Sequence, residues 1–247
     1  MLTEISQLSD LTSASAATIT MPDSQVEMHL PKVIFLDAVG TLFGVRGSVG
    51  EVYRELALRF GVDAPADVLN QAFFASFKAA APPFFLGVES ADIPNCEFEW
   101  WRDIALHTFE NAGVLDKFSN FTEFFQELYA HFATAEPWFI YPDVIPALEH
   151  WQKIGIEMGV LSNFDSRLYK VLQALELKQF FTSVTISSQV GSAKPNEKIF
   201  LTALEKHQCK SHEAWHIGDS LKEDYQGAIA LSIKGILLKR DQPVFPA

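Results

Sequence analysis

The fold is decided by the stretch from Lys32 to Thr41, which reads KVIFLDAVGT. Four apolar residues in a row precede Asp37, and such a continuous run is typical of a strand buried on both faces of a parallel sheet. Gly40 breaks the run, and two further glycines follow within the next seven residues. We therefore predict a buried strand over residues 32–39 that delivers Asp37 to its carboxyl end. The turn after it has exposed amides that can hold an anion.

Beyond Pro137 the sequence alternates between short apolar runs and amphipathic stretches. The alternation predicts strands at residues 157–163, 183–190, 215–219 and 235–239, and helices at residues 167–177, 197–207 and 223–231. Strands that alternate with helices form right-handed βαβ units, which build a parallel sheet covered by helices on both faces. We therefore predict an α/β fold with a Rossmann-like parallel sheet.

The segment between the first strand and Pro137 has helical periodicity instead. Ser48 is an N-cap candidate for its first helix. Further helices are predicted near residues 65–80, 97–112 and 120–134. The segment is crowded with aromatic residues, most of which we expect in its core while a few line a pocket against the sheet. The sequence thus predicts an all-helical cap over residues 47–136, inserted into an α/β core of residues 32–46 and 137–247.

The composition excludes several classes of protein. The 247 residues carry 19 basic and 31 acidic side chains, a net charge of −12, whereas nucleic-acid binding needs a basic surface. The apolar runs are far shorter than the ~20 residues of a membrane-spanning helix, and two cysteines make no disulfide framework. Residues 1–31 lack the features of a targeting peptide and predict a disordered tail. We expect a cytoplasmic monomer or homodimer that acts on a small molecule, without nucleic acid or membrane.

Polar side chains follow four of the predicted strands at their carboxyl ends, where ligands of parallel sheets bind. They are Asp37, Ser162 with Asn163, Lys194, and Asp219 with Asp224 five residues further on. The carboxylates would repel one another without a cation, and their oxygen atoms suit Mg²⁺. A lysine among them can neutralise both a carboxylate and a transferring phosphoryl group. The four strand ends therefore predict one site that binds magnesium and phosphate.

These residues resemble the motifs of the haloacid dehalogenase-like (HAD) hydrolase superfamily, in its subfamily I with a helical cap inserted after the first strand. Residues 37–41 (DAVGT) match the first motif, Ser162 the second, Lys194 the third, and residues 218–220 (GDS) with Asp224 the fourth. Residues 37–53 and 100–102 are similar to a rhythmically-expressed-gene-2-like group of that superfamily. The resemblance extends from Lys32 to Arg240.

The resemblance implies a phosphatase that works through a covalent intermediate. Asp37 would attack phosphorus and form an aspartyl-phosphate, which water then hydrolyses. Mg²⁺ would be bound by Asp37, by the main-chain carbonyl of Val39 and by Asp219, with Asp224 supporting the ion indirectly. The substrate implied is a small organic phosphate.

The same resemblance assigns the phosphoryl oxygens of the substrate to a second group of residues. Ser162, Asn163 and Lys194 would bind them, with Thr41 steadying the loop, and Lys194 is also implied to be catalytic. The cap would close over the site, exclude water and select the substrate.

Val39 is a departure from the family pattern. Phosphatases of the family carry a second aspartate there, two positions after the nucleophile, as general acid and base. Such catalysis contributes roughly 10²–10⁴-fold to the rate. We therefore expect slow turnover, a good leaving group or a substitute residue. The substitutes suggested by charge type are Arg46, Lys78, Arg102 and His131.

Two alternatives to the phosphatase remain open at this point. Dehalogenases and phosphonate hydrolases of the superfamily also lack the second aspartate, but dehalogenases replace the metal-binding acid that this chain keeps as Asp219. Phosphonate hydrolases rely on a cap lysine, for which Lys78 is an unclear match. The other alternative is a catalytically weak binding protein that senses a metabolite or a partner, and Val39 is the feature that favours it.

Overall fold

A computed structural model of the chain describes residues 30–240. Its strands are β1 Val33–Leu36, β2 Phe43–Val45, β3 Trp138–Ile140, β4 Glu157–Ser162, β5 Ser183–Ile186, β6 Ala214–Gly218 and β7 Lys234–Leu237. Its helices are α1 Val49–Arg59, α2 Ala66–Ala79, α3 Ile93–Asn111, α4 Phe121–His131, α5 Val144–Lys153, α6 Leu168–Ala174, α7 Ser187–Val190, α8 Glu197–Lys206 and α9 Gly227–Ile229. A π-helical turn, Leu221–Gln226, leads into α9.

Five strands form a parallel sheet in the order β5-β4-β1-β6-β7. The first strand lies in the middle, with Leu36 level with Val160 of β4 and with Ile217 of β6. Because all three strands run in the same direction, the residues that follow them meet at one edge of the sheet. The predicted parallel α/β fold is therefore confirmed.

Each face of the sheet has its own apolar core. Ile34 and Leu36 face a large cluster that continues through helices α5 and α6 and into the inserted helices. Val33 and Phe35, which alternate with them, face a smaller cluster built largely from α8. Burial on both faces explains why β1 reads as an uninterrupted apolar run rather than as an alternating pattern.

The helical insertion follows β2 and ends before β3, and these two strands pair antiparallel at its base. The Ser48 hydroxyl accepts a hydrogen bond of 3.1 Å from the amide of Glu51, which confirms Ser48 as the N-cap of α1. The inserted helices pack on one another through aromatic pairs such as Tyr53 with Phe109, whose ring centroids are 5.9 Å apart. The boundaries 46/47 and 136/137 of the cap stay a prediction.

Several predicted elements differ in their bounds from the structure, and three of these differences have a local cause. The strand predicted for residues 183–190 ends at Ile186, and the next four residues form the short helix α7, which stops at Gly191 with a φ of +66°. The first strand ends at Leu36 rather than residue 39, because the chain turns at once after Asp37. The last predicted helix begins earlier, at Leu221, because Ser220 caps it by accepting from the Glu223 amide.

Two further predictions concern the ends of the chain and membranes. The tail predicted for residues 1–31 lies outside the described residues apart from its last two positions. Within residues 30–240, each helix is too short or too polar to cross a bilayer.

Candidate functional site

Lys194 joins two carboxylates at the carboxyl edge of the sheet. Its Nζ donates hydrogen bonds to Oδ1 of Asp37 at 2.6 Å, to Oδ1 of Asp224 at 2.5 Å and to the carbonyl of Leu161 at 3.0 Å. The side chain is only 1% exposed. Burial opposes the charge, but the two carboxylates outweigh it and raise the pKa of Lys194, so the lysine stays cationic.

Asn163 fixes the main chain on both sides of the Lys194 α-carbon. Its Oδ1 accepts from the Lys194 amide at 2.7 Å, and its Nδ2 donates to the Lys194 carbonyl at 3.0 Å. Nδ2 also donates to Glu223 at 3.2 Å. Because β5 ends eight residues before Lys194, these bonds from the neighbouring strand β4 are what bring the lysine to the edge. That Asn163 binds substrate stays a prediction.

Asp224 is held as a carboxylate by its surroundings. Besides Lys194, it accepts from Nε2 of His216 at 2.8 Å and from the Ser220 amide at 3.0 Å. Burial would favour the neutral acid, yet Lys194 and His216 together lower the pKa of Asp224 well below its ordinary value. Gly218 makes room for it, since a Cβ there would lie 2.1 Å from the Asp224 carboxyl carbon.

Asp37 and Asp219 are the less compensated carboxylates of the same cluster. Ligand oxygens of Asp37, Asp219 and Asp224 all lie within 4.8 Å of one another. Burial and the charge of Asp37 raise the pKa of Asp219 to about 7. Burial also raises the pKa of Asp37, against the attraction of Lys194. A cation bound beside these two carboxylates would reduce the repulsion between them and favour their ionised form.

The donor set fits a hard divalent cation. Asp224 already accepts from a lysine, a histidine and an amide, whereas Asp219 accepts a 3.3 Å bond from the Thr41 hydroxyl and one from its own backbone amide, and has no cation bonded to it among residues 30–240. Asp37 and Asp219 are therefore the pair that could hold the ion directly, and carboxylate oxygens are the ligands that Mg²⁺ prefers. Gly40, with a φ of +88°, lets Asp219 approach, because a Cβ there would lie 2.4 Å from its Oδ2.

The other predicted residues of the site lie around this cluster. Ser162 is buried at the end of β4, near the Asp37 carboxylate, and its hydroxyl acts to lower the pKa of Asp37. Thr41 is buried in the turn after β1, where Arg240 anchors its carbonyl at 2.6 Å and also binds Asp143 at 2.6 Å. The part played by Arg240 was not predicted, because no motif near it in the chain indicates that role.

Val39 faces a different environment from the carboxylates. It lines an apolar cavity of about 60 Å³ between the sheet edge and the inserted helices. Phe164, two residues after Ser162, lines it from the sheet side. The cap contributes Val49, Tyr53, Phe73, Trp101, Phe125, Leu128, Tyr129 and Phe132. The expectation that some cap aromatics line a pocket against the sheet is confirmed.

A buried ion pair closes one side of this cavity. Arg167 binds Asp165 through two bonds, Nε to Oδ1 at 2.8 Å and Nη2 to Oδ2 at 2.7 Å. The guanidinium lies 3.9 Å from the ring centroid of Tyr129 and 5.1 Å from that of Trp101. Burial opposes its charge, but Asp165 raises the pKa of Arg167. The cavity wall therefore contains a charge pair that neutralises itself.

Two cap residues on α3 hydrogen-bond the loop after β4. Trp101 donates from Nε1 to Oδ2 of Asp165 at 2.6 Å. The buried carboxylate of Glu97 accepts from the amide of Ser166 at 3.0 Å and from its hydroxyl. Trp101 was identified as a cap aromatic and through the resemblance of residues 100–102, but its bond to Asp165 was not predicted. Glu97 was not predicted either, since a single acid in a helix has no recognisable pattern.

The four substitutes suggested for the missing acid do not line the cavity beside Val39. Arg46 and Lys78 are exposed. Arg102 pairs with Glu99 at 2.9 Å, and His131 with Glu136 at 3.3 Å. Burial lowers the pKa of His131.

The sheet topology, the helical insertion and the lysine–carboxylate cluster together define a class of capped α/β proteins with a candidate metal site at the sheet edge. The family model for haloacid dehalogenase-like hydrolase matches residues 31–231. The chain therefore belongs to the haloacid dehalogenase-like hydrolase family, as its motifs indicated.

Several curated proteins are similar to this chain over most of its length. Haloacid dehalogenase-like hydrolase domain-containing protein 3 of Mus musculus is 32% identical over 220 residues, which cover 86% of this chain and 84% of that protein. Rhythmically expressed gene 2 protein of Drosophila melanogaster is 30% identical over 206 residues, covering 80% and 78%. The predicted resemblance to that group is confirmed.

Solved structures share the fold at lower identity. The HAD-hydrolase YfnB of Bacillus subtilis, bound to magnesium, has a TM-score of 0.62 and 16% identity, covering 88% of this chain and 93% of that one. A HAD phosphatase of Thermococcus onnurineus has a TM-score of 0.56 and 24% identity, covering 85% and 87%. At such identities the likeness establishes the capped α/β fold.

Proposed function

We propose that the protein is a magnesium-dependent phosphatase of small organic phosphates, with Asp37 as its nucleophile. The observation that carries the proposal is the bridge formed by Lys194 between Asp37 and Asp224, beside the third carboxylate of Asp219. A buried cation, a fixed carboxylate and an acidic pair that can hold a metal ion are the groups that an attack on a phosphate dianion requires.

Lys194 orients the nucleophile. Because it holds Oδ1 of Asp37, the other carboxylate oxygen remains for the attack on phosphorus. The ammonium group also attracts the substrate's phosphoryl oxygens, which the acidic cluster would otherwise repel. The Ser162 hydroxyl, next to the same carboxylate, supplies a further donor to those oxygens.

The remaining residues keep these groups in place. Asn163 holds the Lys194 backbone, and Asp224 with His216 holds its ammonium group. Thr41 donates to Asp219, and Arg240 anchors Thr41. When bound between Asp37 and Asp219, Mg²⁺ would supply positive charge that neutralises the phosphoryl oxygens. The cap residues Trp101 and Glu97 hold the inserted helices over the site and limit the entry of water.

The test is a phosphatase screen of the purified protein with Mg²⁺ and with EDTA. We expect phosphate release that requires Mg²⁺, and we expect Asp37→Asn to abolish it. Asp116→Asn removes a carboxylate from an exposed turn of the cap and is the matched control, which should keep full activity. Activity of Asp37→Asn equal to that of the control would refute the nucleophile, and activity in EDTA would refute the metal.

A second candidate function is favoured by Val39. The cavity beside Asp37 is apolar where a phosphatase of this family would hold an acid, and a site that binds without turnover would look the same. Retention of a radiolabelled phosphate compound without release of phosphate would indicate a binding protein. Release of halide from a 2-haloacid in EDTA would instead indicate a dehalogenase.

A further inference from the structure

The cavity lined by Val39 adjoins the residues that would bind phosphate. Val39 comes two positions after Asp37, and Phe164 two positions after Ser162, so that two residues of the sheet edge form its floor. A phosphoryl group bound between Asp37, Ser162 and Lys194 would therefore carry its leaving group toward this cavity.

The cavity is small and apolar. Its volume of about 60 Å³ is enough for a few water molecules. This is room for a short organic group, and much less than the roughly 150 Å³ that holds a benzene ring. Its wall is formed mainly by aliphatic and aromatic side chains, which favour an apolar occupant.

The charged residue in the wall does not change this preference. The guanidinium of Arg167 donates two hydrogen bonds to Asp165 and a third, from Nη1, to the Tyr129 carbonyl at 3.3 Å. Because Asp165 already neutralises it, Arg167 offers little attraction to a carboxylate or a second phosphate on the substrate.

The cavity also lacks an effective proton donor among its lining residues. Tyr53 and Tyr129 are its hydroxyl-bearing side chains, and burial raises the pKa of both phenols above their ordinary value. A phenol whose pKa is raised further is a poorer acid, since a good catalytic acid has a pKa near the working pH. The leaving group must therefore depart without being protonated.

We propose that the substrates are phosphate compounds whose leaving group is short, apolar and able to depart as a stabilised oxyanion. Acyl phosphates, which release a carboxylate, and enol phosphates, which release an enolate, both satisfy these conditions. Simple alkyl phosphates do not, because an alkoxide is too basic to leave without a proton. This proposal rests on the proposed phosphatase function and specifies its substrate class.

The two chemical steps balance without an acid at position 39. In the first, an oxygen of Asp37 bonds to phosphorus while the bond from phosphorus to the leaving oxygen breaks, and the electron pair stays on that oxygen as carboxylate or enolate. In the second, water attacks the phosphorus of the aspartyl-phosphate. The products are the Asp37 carboxylate and dihydrogen phosphate, which keeps both protons of the water.

Three phosphates of nearly the same shape test the proposal. Acetyl, isopropenyl and isopropyl phosphate carry leaving groups of equal size, of which the first gives a carboxylate, the second an enolate and the third an alkoxide. We would measure kcat/KM for each with the wild type, with Val39→Asp and with Val39→Asn. The asparagine variant matches the aspartate in size and polarity but donates no catalytic proton.

We expect Val39→Asp to raise kcat/KM for isopropyl phosphate about 100-fold, the lower end of what general acids contribute. The same variant should change the value for acetyl phosphate by less than about threefold, since protonation adds little where the leaving group is already stable. Val39→Asn should improve neither substrate. The wild-type values separate the two kinds of substrate: the highest kcat/KM on isopropenyl phosphate would indicate a site for enol phosphates, and the highest on acetyl phosphate a site for acyl phosphates.

An equal effect of Val39→Asp on all three compounds, or none, would overturn the substrate class while Asp37-dependent turnover left the phosphatase function standing. Failure of the function itself has a different signature, because the wild type would then release phosphate from none of the compounds.

The place of the leaving group is tested separately by cavity size. Val45 in β2 lines the cavity, whereas Val52 in α1 is also buried but does not line it. Val45→Ala should raise kcat/KM for butyryl phosphate relative to acetyl phosphate roughly tenfold, the value of a methylene in an apolar pocket. Val52→Ala, a matched loss of two methyl groups, should leave the ratio unchanged. An unchanged ratio in Val45→Ala would place the leaving group elsewhere.

Discussion

Trp101 and Asp165 are joined by a hydrogen bond of 2.6 Å that connects the inserted helices to the sheet. Trp101 lies on α3, whereas Asp165 lies in the loop after β4 and also holds Arg167. The same loop gives the cavity Phe164, so one contact ties the position of the cap to the wall of the candidate site.

Replacement of Trp101 by phenylalanine should loosen the cap. The variant loses one hydrogen bond to a charged acceptor, which contributes ~1.5–3 kcal/mol, and we expect faster hydrogen exchange in α3 and in the loop after β4. Trp100→Phe is the control, since Trp100 donates its indole N–H to Ala81 inside the insertion. Exchange in the β4 loop that is equal in the two variants would show that the bond does not hold the cap.

The apparent affinity for Mg²⁺ should depend on pH through Asp219. In the metal-free protein the pKa of this carboxyl is raised to about 7, so protons compete with the ion below that value. We expect the affinity measured by calorimetry to rise up to tenfold per pH unit between pH 5 and 7 and to level off above. Asp219→Asn should remove most of the affinity and its pH dependence.

The same shift predicts the pH dependence of stability. In the unfolded protein the pKa of an aspartate is near 3.9, and in the folded protein that of Asp219 is higher. Protonation of Asp219 therefore stabilises the folded state, and this contribution is complete at pH values below about 3.9. This stability is lost as the pH rises toward 7. The increase in melting temperature on adding Mg²⁺ should therefore be larger at pH 8 than at pH 5. A larger increase at pH 5 would contradict the assignment of the ion to Asp219.

The sequence predicted the sheet and much of the site because both depend on local patterns, namely apolar runs and the polar residues that follow them. The apolar run before Asp37 predicts a buried strand, and all four of its residues are buried. The carboxyl ends of the strands in a parallel sheet must meet at one edge. Lys194 lies at that edge as predicted, but the strand before it ends eight residues earlier, at Ile186. The lysine is held at the edge by Asn163, the residue that follows β4. A contact between distant residues leaves no periodicity to read.

The contacts between the cap and the sheet could not be predicted from the sequence, for the same reason. Glu97 and Ser166 meet across 69 positions, and Arg167 pairs with Asp165 inside a loop that has no regular pattern. Aromatic residues predicted a core in the insertion, but periodicity alone does not tell which of them, such as Tyr129, face a cavity.

Replacement of Lys194 by methionine should destabilise the protein by ~3–5 kcal/mol, the cost of leaving a buried charge without its partner. Both Asp37 and Asp224 lose the ammonium group, so their pKa values rise in the folded state. The loss should therefore be smaller at pH 5 than at pH 8 when unfolding is followed in urea. Lys198→Met changes a lysine at the exposed start of α8 and is the control. A loss that grew toward low pH would contradict the pairing.

The absence of an acid–base residue at Val39 should appear in the second chemical step as well as the first. Attack of water on the aspartyl-phosphate is faster when a base takes a proton from the water, and the cavity beside Val39 offers no base among its lining residues. With acetyl phosphate, whose leaving group departs unaided, we expect the phosphoenzyme to form quickly and to accumulate. Acid quenching within seconds should trap close to one phosphate per chain on Asp37. Val39→Asp restores a base and should lower that fraction while raising kcat, whereas Val39→Asn should leave both unchanged. Rapid release of phosphate by the wild type, with little phosphoenzyme trapped, would mean that another residue activates the water.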